Sequence, residues 1–104
     1  MDAQLKKGIL EMCILHDLEK ESPYGYDMIR TMHGFFPEVT ESTFYAILRR
    51  LYQEGDAEVF EGRESRGPAR KYYRITEQGR KRLSQLKADW ENLKSVVEEV
   101  MRIG

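Results

Sequence analysis

The chain has 104 residues, which allows one domain with one appended element and leaves a modest buried fraction, so part of its stability is expected from a partner subunit. Hydrophobic residues make up 40% and charged residues 34%, with a mean hydropathy of -0.66; this suffices for a core, and no run approaches the ~20 apolar residues that span a bilayer. The single Cys13 excludes an internal disulfide and a multi-cysteine zinc site, and Met1-Asp2-Ala3-Gln4 lacks the basic and apolar parts of a signal peptide, so the expected compartment is the cytoplasm.

Net charge is -1, but the charge is unevenly placed. Residues 1–62 carry 6 basic and 12 acidic residues, residues 63–82 carry 8 and 2, and residues 83–104 carry 3 and 4. One short block is therefore strongly basic, and local potential governs phosphate binding more than the total does.

Residues 5–20 read as a helix with a wide apolar stripe through Leu5, Ile9, Met12 and Leu15 or Ile14, broadened by Leu10, Cys13 and Leu18. A stripe this wide predicts burial on two sides. Cys13 is expected to act as a small hydrophobe, and His16 as structural or exposed. Ser22-Pro23 predicts the next helix start, with Ser as N-cap and Pro at the first helical position. That helix runs through Tyr24, Met28, Ile29 and Met32 to a stop at Gly34. Gly25 in its first turn costs about 1 kcal/mol against Ala, so a close helix contact is expected there. Phe35-Phe36-Pro37 then reads as an apolar anchor in a loop.

The third helix carries the most information. Thr40 is its N-cap and Gly55 its stop. Between them Phe44, Ile47, Leu48 and Leu51 fall at i, i+3, i+4, i+7, one buried face. The opposite face holds Ser42, Ala46, Arg49 and Gln53, flanked by Tyr45 and Arg50. Small residues near the start allow close approach to a duplex, polar tips suit base edges, and cations suit phosphates. Alone, this pattern equally describes an amphipathic surface helix; with the preceding helix and short connection it resembles a helix-turn-helix.

After Gly55 the period changes to two. Ala57, Val59 and Glu61 alternate with Glu58 and Phe60; Lys71-Tyr72-Tyr73-Arg74-Ile75 reads as a second strand, with Tyr73 and Ile75 on one face and Tyr72 and Arg74 on the other. A polar, turn-rich run joins them and places Arg63, Arg66, Arg70 and Lys71 at or near its tip. A hairpin directly after a helix-turn-helix is the wing of a winged helix, and its basic tip suits phosphates or a minor groove.

Thr76 caps the last helix, with Glu77 favourable at its positive end and Gly79 costly in its first turn. Leu83, Leu86, Trp90, Leu93, Val97 and Val100 are spaced 3, 4, 3, 4, 3, broadened by Val96, Met101 and Ile103. A helix over residues 76–103 is about 40 Å long, more than the rest of the domain needs as cover. The seam is expected to pair with a second copy; folding back onto its own domain is the alternative. The expected architecture is mainly α (α+β): a winged-helix DNA-binding domain over residues 1–76 and a C-terminal dimerisation helix over residues 77–104.

Three stretches resemble the PadR family of transcriptional regulators: Ser22-Pro23-Tyr24-Gly25-Tyr26-Asp27-Met28-Ile29; Thr43-Phe44-Tyr45-Ala46-Ile47-Leu48-Arg49-Arg50-Leu51 with Glu54-Gly55; and Arg70-Lys71-Tyr72-Tyr73-Arg74-Ile75-Thr76-Glu77-Gln78-Gly79. In order and spacing they cover most of residues 5–80, and the single short terminal helix is similar to the small subfamily. Gly67-Pro68-Ala69-Arg70-Lys71 departs from the family's more usual Gly-Arg-Pro-Arg-Lys run, and Phe44 stands where Leu is usual. The resemblance implies a homodimeric winged-helix repressor that binds pseudo-palindromic operator DNA. Ser42, Thr43, Tyr45, Ala46 and Arg49 are expected to address the major groove, and Arg50, Arg66, Arg70 and Lys71 to hold phosphates. Some small PadR-like multidrug regulators carry a Trp at the position of Trp90, where two indoles sandwich a flat aromatic ligand at the dimer interface. The resemblance thus implies a planar aromatic or phenolic effector at Trp90, against a packed core indole as the competing reading.

No metal or other cofactor is expected. The chain has no metal-ligand spacing, no phosphate-binding Gly loop and no nucleophile–base set, with His16 and His33 on different helices, so an enzyme is disfavoured. The remaining alternative is a protein-interaction module built on a degenerate winged helix.

Overall fold

A computed structural model describes residues 3–20, 24–62 and 70–103. Its elements are α1 (Ala3–Leu18), α2 (Gly25–Phe35), α3 (Glu41–Gln53), β1 (Ala57–Gly62), β2 (Arg70–Ile75) and α4 (Glu77–Ile103). The fold is mainly α, with one two-stranded antiparallel sheet in which Ala57 faces Ile75 and Gly62 faces Arg70. The expected Ser22-Pro23 helix start, the wing tip at residues 63–69 and the Leu5 side chain lie outside the described residues.

One core joins the elements. Leu10, Ile14, Leu15 and Leu18 of α1 meet Met28, Ile29 and Met32 of α2, the predicted Phe44, Ile47, Leu48 and Leu51 face of α3, Ile75 of β2 and Leu83 of α4. Each such side chain contributes about 1.5–3 kcal/mol by leaving water. Met12 and Cys13, on the flank of the fully buried face of α1, pack only partly against this core. Burial pushes the Cys13 thiol pKa up, which keeps it a neutral hydrophobe.

Local chemistry sets most boundaries. Thr40 caps α3, its Oγ1 accepting from the Thr43 N–H at 3.3 Å. Gly55, at φ 87°, turns the chain out of α3 in the left-handed region. Thr76 caps α4, accepting from the Gly79 N–H at 3.0 Å. Three expectations are corrected. Gly34 does not end α2, which continues through Phe35 and closes at Phe36, whose N–H donates to the Met32 carbonyl at 2.9 Å. Of the anchor pair only Phe36 packs on the core, while Phe35 is exposed. Gly25 makes room for a strand rather than a helix: an added Cβ would stand 2.7 Å from the Tyr73 ring.

Candidate nucleic-acid interface

The buried face of α3 dictates what its other side offers. With Phe44, Ile47, Leu48 and Leu51 inward, Ser42, Thr43, Tyr45, Ala46 and Arg49 all lie exposed. The Ser42 and Thr43 hydroxyls each share a hydrogen bond with the Thr40 hydroxyl, at 3.0 and 2.9 Å, so the start of the helix presents a cluster of small hydroxyl groups. Further along, a cleft of about 530 Å³ separates α3 from the hairpin, lined by Tyr45, Arg49, Tyr52, Val59, Phe60, Glu61, Lys71 and Tyr73. Burial, then the Glu41 charge and the neighbouring phenols, push the Tyr45 pKa up. Burial also raises that of Tyr73, against the opposing effect of Arg49. Both phenols therefore stay protonated at neutral pH and have an O–H to donate.

Strand alternation divides the hairpin's cations. Lys71 lies on the side of Tyr73 and lines the cleft beside Arg49. Arg70 lies on the other side, its guanidinium 5.0 Å from the Tyr24 ring. That side carries a row of rings absent from the expectations: Tyr24–Tyr26 at 6.0 Å, Tyr24–Tyr72 at 5.7 Å and Phe60–Tyr72 at 5.6 Å. Arg30 lies 5.8 Å from the Tyr26 ring and Arg74 4.9 Å from the Phe60 ring, each within cation–π range. Tyr24 is also joined to Tyr72 by an isolated antiparallel bridge, which ties the start of α2 to the hairpin. The available signal was the recurrence of Tyr and Arg in both stretches.

Two expected roles are corrected. Arg50 does not point outward to a phosphate; its guanidinium pairs with Glu11 of α1, whose side chain is 7% exposed. Leu83 is not available to a partner: at 2% exposure it belongs to the core, and Leu86 packs partly against that core. Arg66 lies outside the described residues.

The outer half of α4 is different. Leu93, Val97 and Val100 are 52%, 43% and 60% exposed, and Val96, Met101 and Ile103 are exposed beside them. Trp90 stands where the two halves meet, 37% exposed. It lines two grooves: one of about 670 Å³ with Met12, Cys13, Met32 and Phe36, and one of about 310 Å³ with Ile9, Met12, Leu86 and Leu93. Among the described residues no helix is long and apolar enough to cross a membrane.

A helix-turn-helix followed by a hairpin and a long terminal helix defines a winged helix. The model of the PadR-like family of transcriptional regulators matches residues 14–85, and the chain belongs to that family. A Lysinibacillus sphaericus protein is 34% identical over 100 residues, covering 91% of this chain and 90% of its own length. A PadR-like transcriptional regulator from Bacillus cereus has a similar structure, with a TM-score of 0.83 at 34% identity, over 95% of this chain and 97% of that one. A Streptococcus transcriptional regulator gives a TM-score of 0.85 at 28% identity, over 96% and 99% of the two chains. The chain is thus a PadR-like transcriptional regulator with the winged-helix fold and a C-terminal helix.

Proposed function

We propose that this regulator binds double-stranded operator DNA as a homodimer and represses transcription in the cytoplasm, with a planar aromatic or phenolic molecule as effector. The observation that carries the reading is the exposed α3 face of Ser42, Thr43, Tyr45, Ala46 and Arg49, continuous with the cleft lined by Lys71. In this reading α3 enters the major groove, and Lys71, Arg70 and Arg66 hold phosphates on either side of the hairpin. Residues 1–76 are the DNA-binding unit, completed by the core residues of early α4, and the rest of residues 77–104 pairs two subunits. Recognition helices then lie one DNA turn apart, ~34 Å, on half-sites about 10 bp apart.

The test is fluorescence anisotropy of labelled duplex from upstream of the gene, at several salt concentrations. Tight, salt-sensitive binding that exceeds binding to a scrambled duplex is expected. Lys71→Ala should weaken binding to both duplexes and flatten the log–log salt slope by ~0.9. An unchanged slope removes Lys71 from the interface; failure to bind any duplex at low salt favours the protein-interaction module instead.

The effector part rests on Trp90, on the rim of two apolar grooves. A ligand shifts DNA binding only as far as it binds two dimer states differently. A planar aromatic compound is expected to quench Trp90 fluorescence and lower DNA affinity over one concentration range. Quenching without loss of DNA affinity leaves a pocket and removes the switch.

A further inference from the structure

The start of α4 is fastened to the turn that ends α3. The Thr76 hydroxyl donates to the Gly55 carbonyl at 2.7 Å and the Thr76 N–H to the Asp56 carbonyl at 3.1 Å. The Gln78 amide donates to the Glu54 carbonyl at 2.7 Å and to Asp56 Oδ1 at 2.9 Å. Gly79 lets the helix lie directly on this turn, because a Cβ there would collide with the Asp56 carbonyl oxygen. One turn further on, Arg82 bridges three carboxylates: Asp56 Oδ2 at 2.8 Å, Glu54 Oε2 at 3.2 Å and Glu11 Oε2 at 2.6 Å. The other oxygen of Glu11 pairs with Arg50, in the last turn of α3. Asp56 is 2% exposed and Glu11 5%, so Arg82 reaches two buried carboxylates where α1, α3 and α4 meet, with Glu54 on the exposed rim at 51%.

Buried ion pairs contribute little net stability, since desolvation offsets most of the attraction. Their strength is directional. Apolar burial of Leu83 holds α4 down without fixing its rotation, whereas a planar guanidinium forked between carboxylates fixes orientation. We infer that Arg82 is a positioning residue that sets the angle between α4 and the recognition helix, and through it the spacing of the two recognition helices in a dimer. This rests on the reading of the protein as a DNA-binding homodimer. The leverage is large: over a helix about 40 Å long, a slack of about 5° moves the far end by about 3.4 Å, the rise of one base pair. A joint that only held α4 loosely could not specify half-site spacing.

The test compares an operator with the same operator carrying one base pair inserted between its half-sites. Wild-type protein is expected to bind the expanded operator about tenfold more weakly, a difference of about 1.4 kcal/mol. In Arg82→Lys, which keeps the charge and loses the fork, and in Glu11→Gln, which keeps the shape and loses the charge, that ratio should fall to about threefold or less. General destabilisation lowers the active fraction and weakens both complexes alike, so it leaves the ratio unmoved. An unchanged ratio in both variants overturns the inference. The joint is also read without DNA, by a spin label at Ser42→Cys in a Cys13→Ala background. The inter-subunit distance distribution should broaden in Arg82→Lys, and an unchanged width overturns the inference. If no duplex is bound, the DNA reading fails while the spin-label result still decides the joint.

Discussion

The two halves of α4 share one spacing of apolar residues and have different surroundings. Leu83, at 2% exposure, completes the core and Leu86 packs against it, whereas Leu93 and Val100 are 52% and 60% exposed. The inner half is also held by polar contacts to the α3–β1 turn; the outer half is not part of that network. The 61 Å long axis of the molecule fits the overhang of a helix that is itself about 40 Å long. A periodic stripe therefore specifies that a face is to be covered, and says nothing of which surface covers it. On the outer half, an apolar face extended from Trp90 to Ile103 is the pattern of a helix awaiting a partner.

The largest expected effect tests the inner half. Leu83→Ala removes a side chain packed among core residues of other helices, and should destabilise the fold by about 2–5 kcal/mol in denaturant unfolding. The loss should be independent of protein concentration, because the cavity lies within one chain. A concentration-dependent loss would place Leu83 in a subunit interface and erase the contrast between the halves.

Val97→Glu tests the outer half. Within one chain the new carboxylate meets solvent, since Val97 is 43% exposed. In a dimer it must be desolvated in place of a valine, so association should weaken by about 2 kcal/mol or more per chain. Sedimentation equilibrium should show the mass falling toward one chain at micromolar concentrations, with the helical circular dichroism of α1–α3 retained. A dimer of unchanged affinity would mean that another surface joins the subunits.

The legible parts of the molecule are those set by local chemistry. The apolar face of α3, its Thr40 cap and Gly55 stop, the Thr76 cap and the alternating faces of the second strand follow from residues within a few positions of one another. Opposite directions for Arg70 and Lys71 follow from strand alternation alone. The fate of Arg50 was not legible, because its partner Glu11 lies on another helix and a cation beside a polar face reads as a surface group. The Glu11–Arg82 contact spans 71 positions. The available signal was a charge set into an apolar stretch, Glu11 between Leu10 and Met12; Arg82, in the run Arg80-Lys81-Arg82, carried none. In the sequence Gly79 is only a cost; its cause is the Asp56 carbonyl, which the intervening hairpin brings back to the start of α4.

The smallest effect sharpens the contrast between embedded and exposed partners. Lys6 of α1 is buried, yet its partner Glu38, 2.8 Å away, is half exposed at 49%, unlike Glu11 and Asp56 beside Arg82. The hydrogen bond from Lys6, then a backbone hydrogen bond and the Lys6 charge, hold the Glu38 carboxyl below its ordinary value of 4.5. A carboxyl whose folded pKa is depressed stabilises the fold above its unfolded pKa, and that stabilisation is lost as the pH falls through the folded pKa. The advantage of wild-type protein over Glu38→Gln in urea midpoint should therefore be constant near neutrality and shrink as the pH drops below 4.5. Solvent screening at Glu38 keeps it small. An advantage that grows toward acid would mean that the ionised carboxylate is not what holds the buried ammonium.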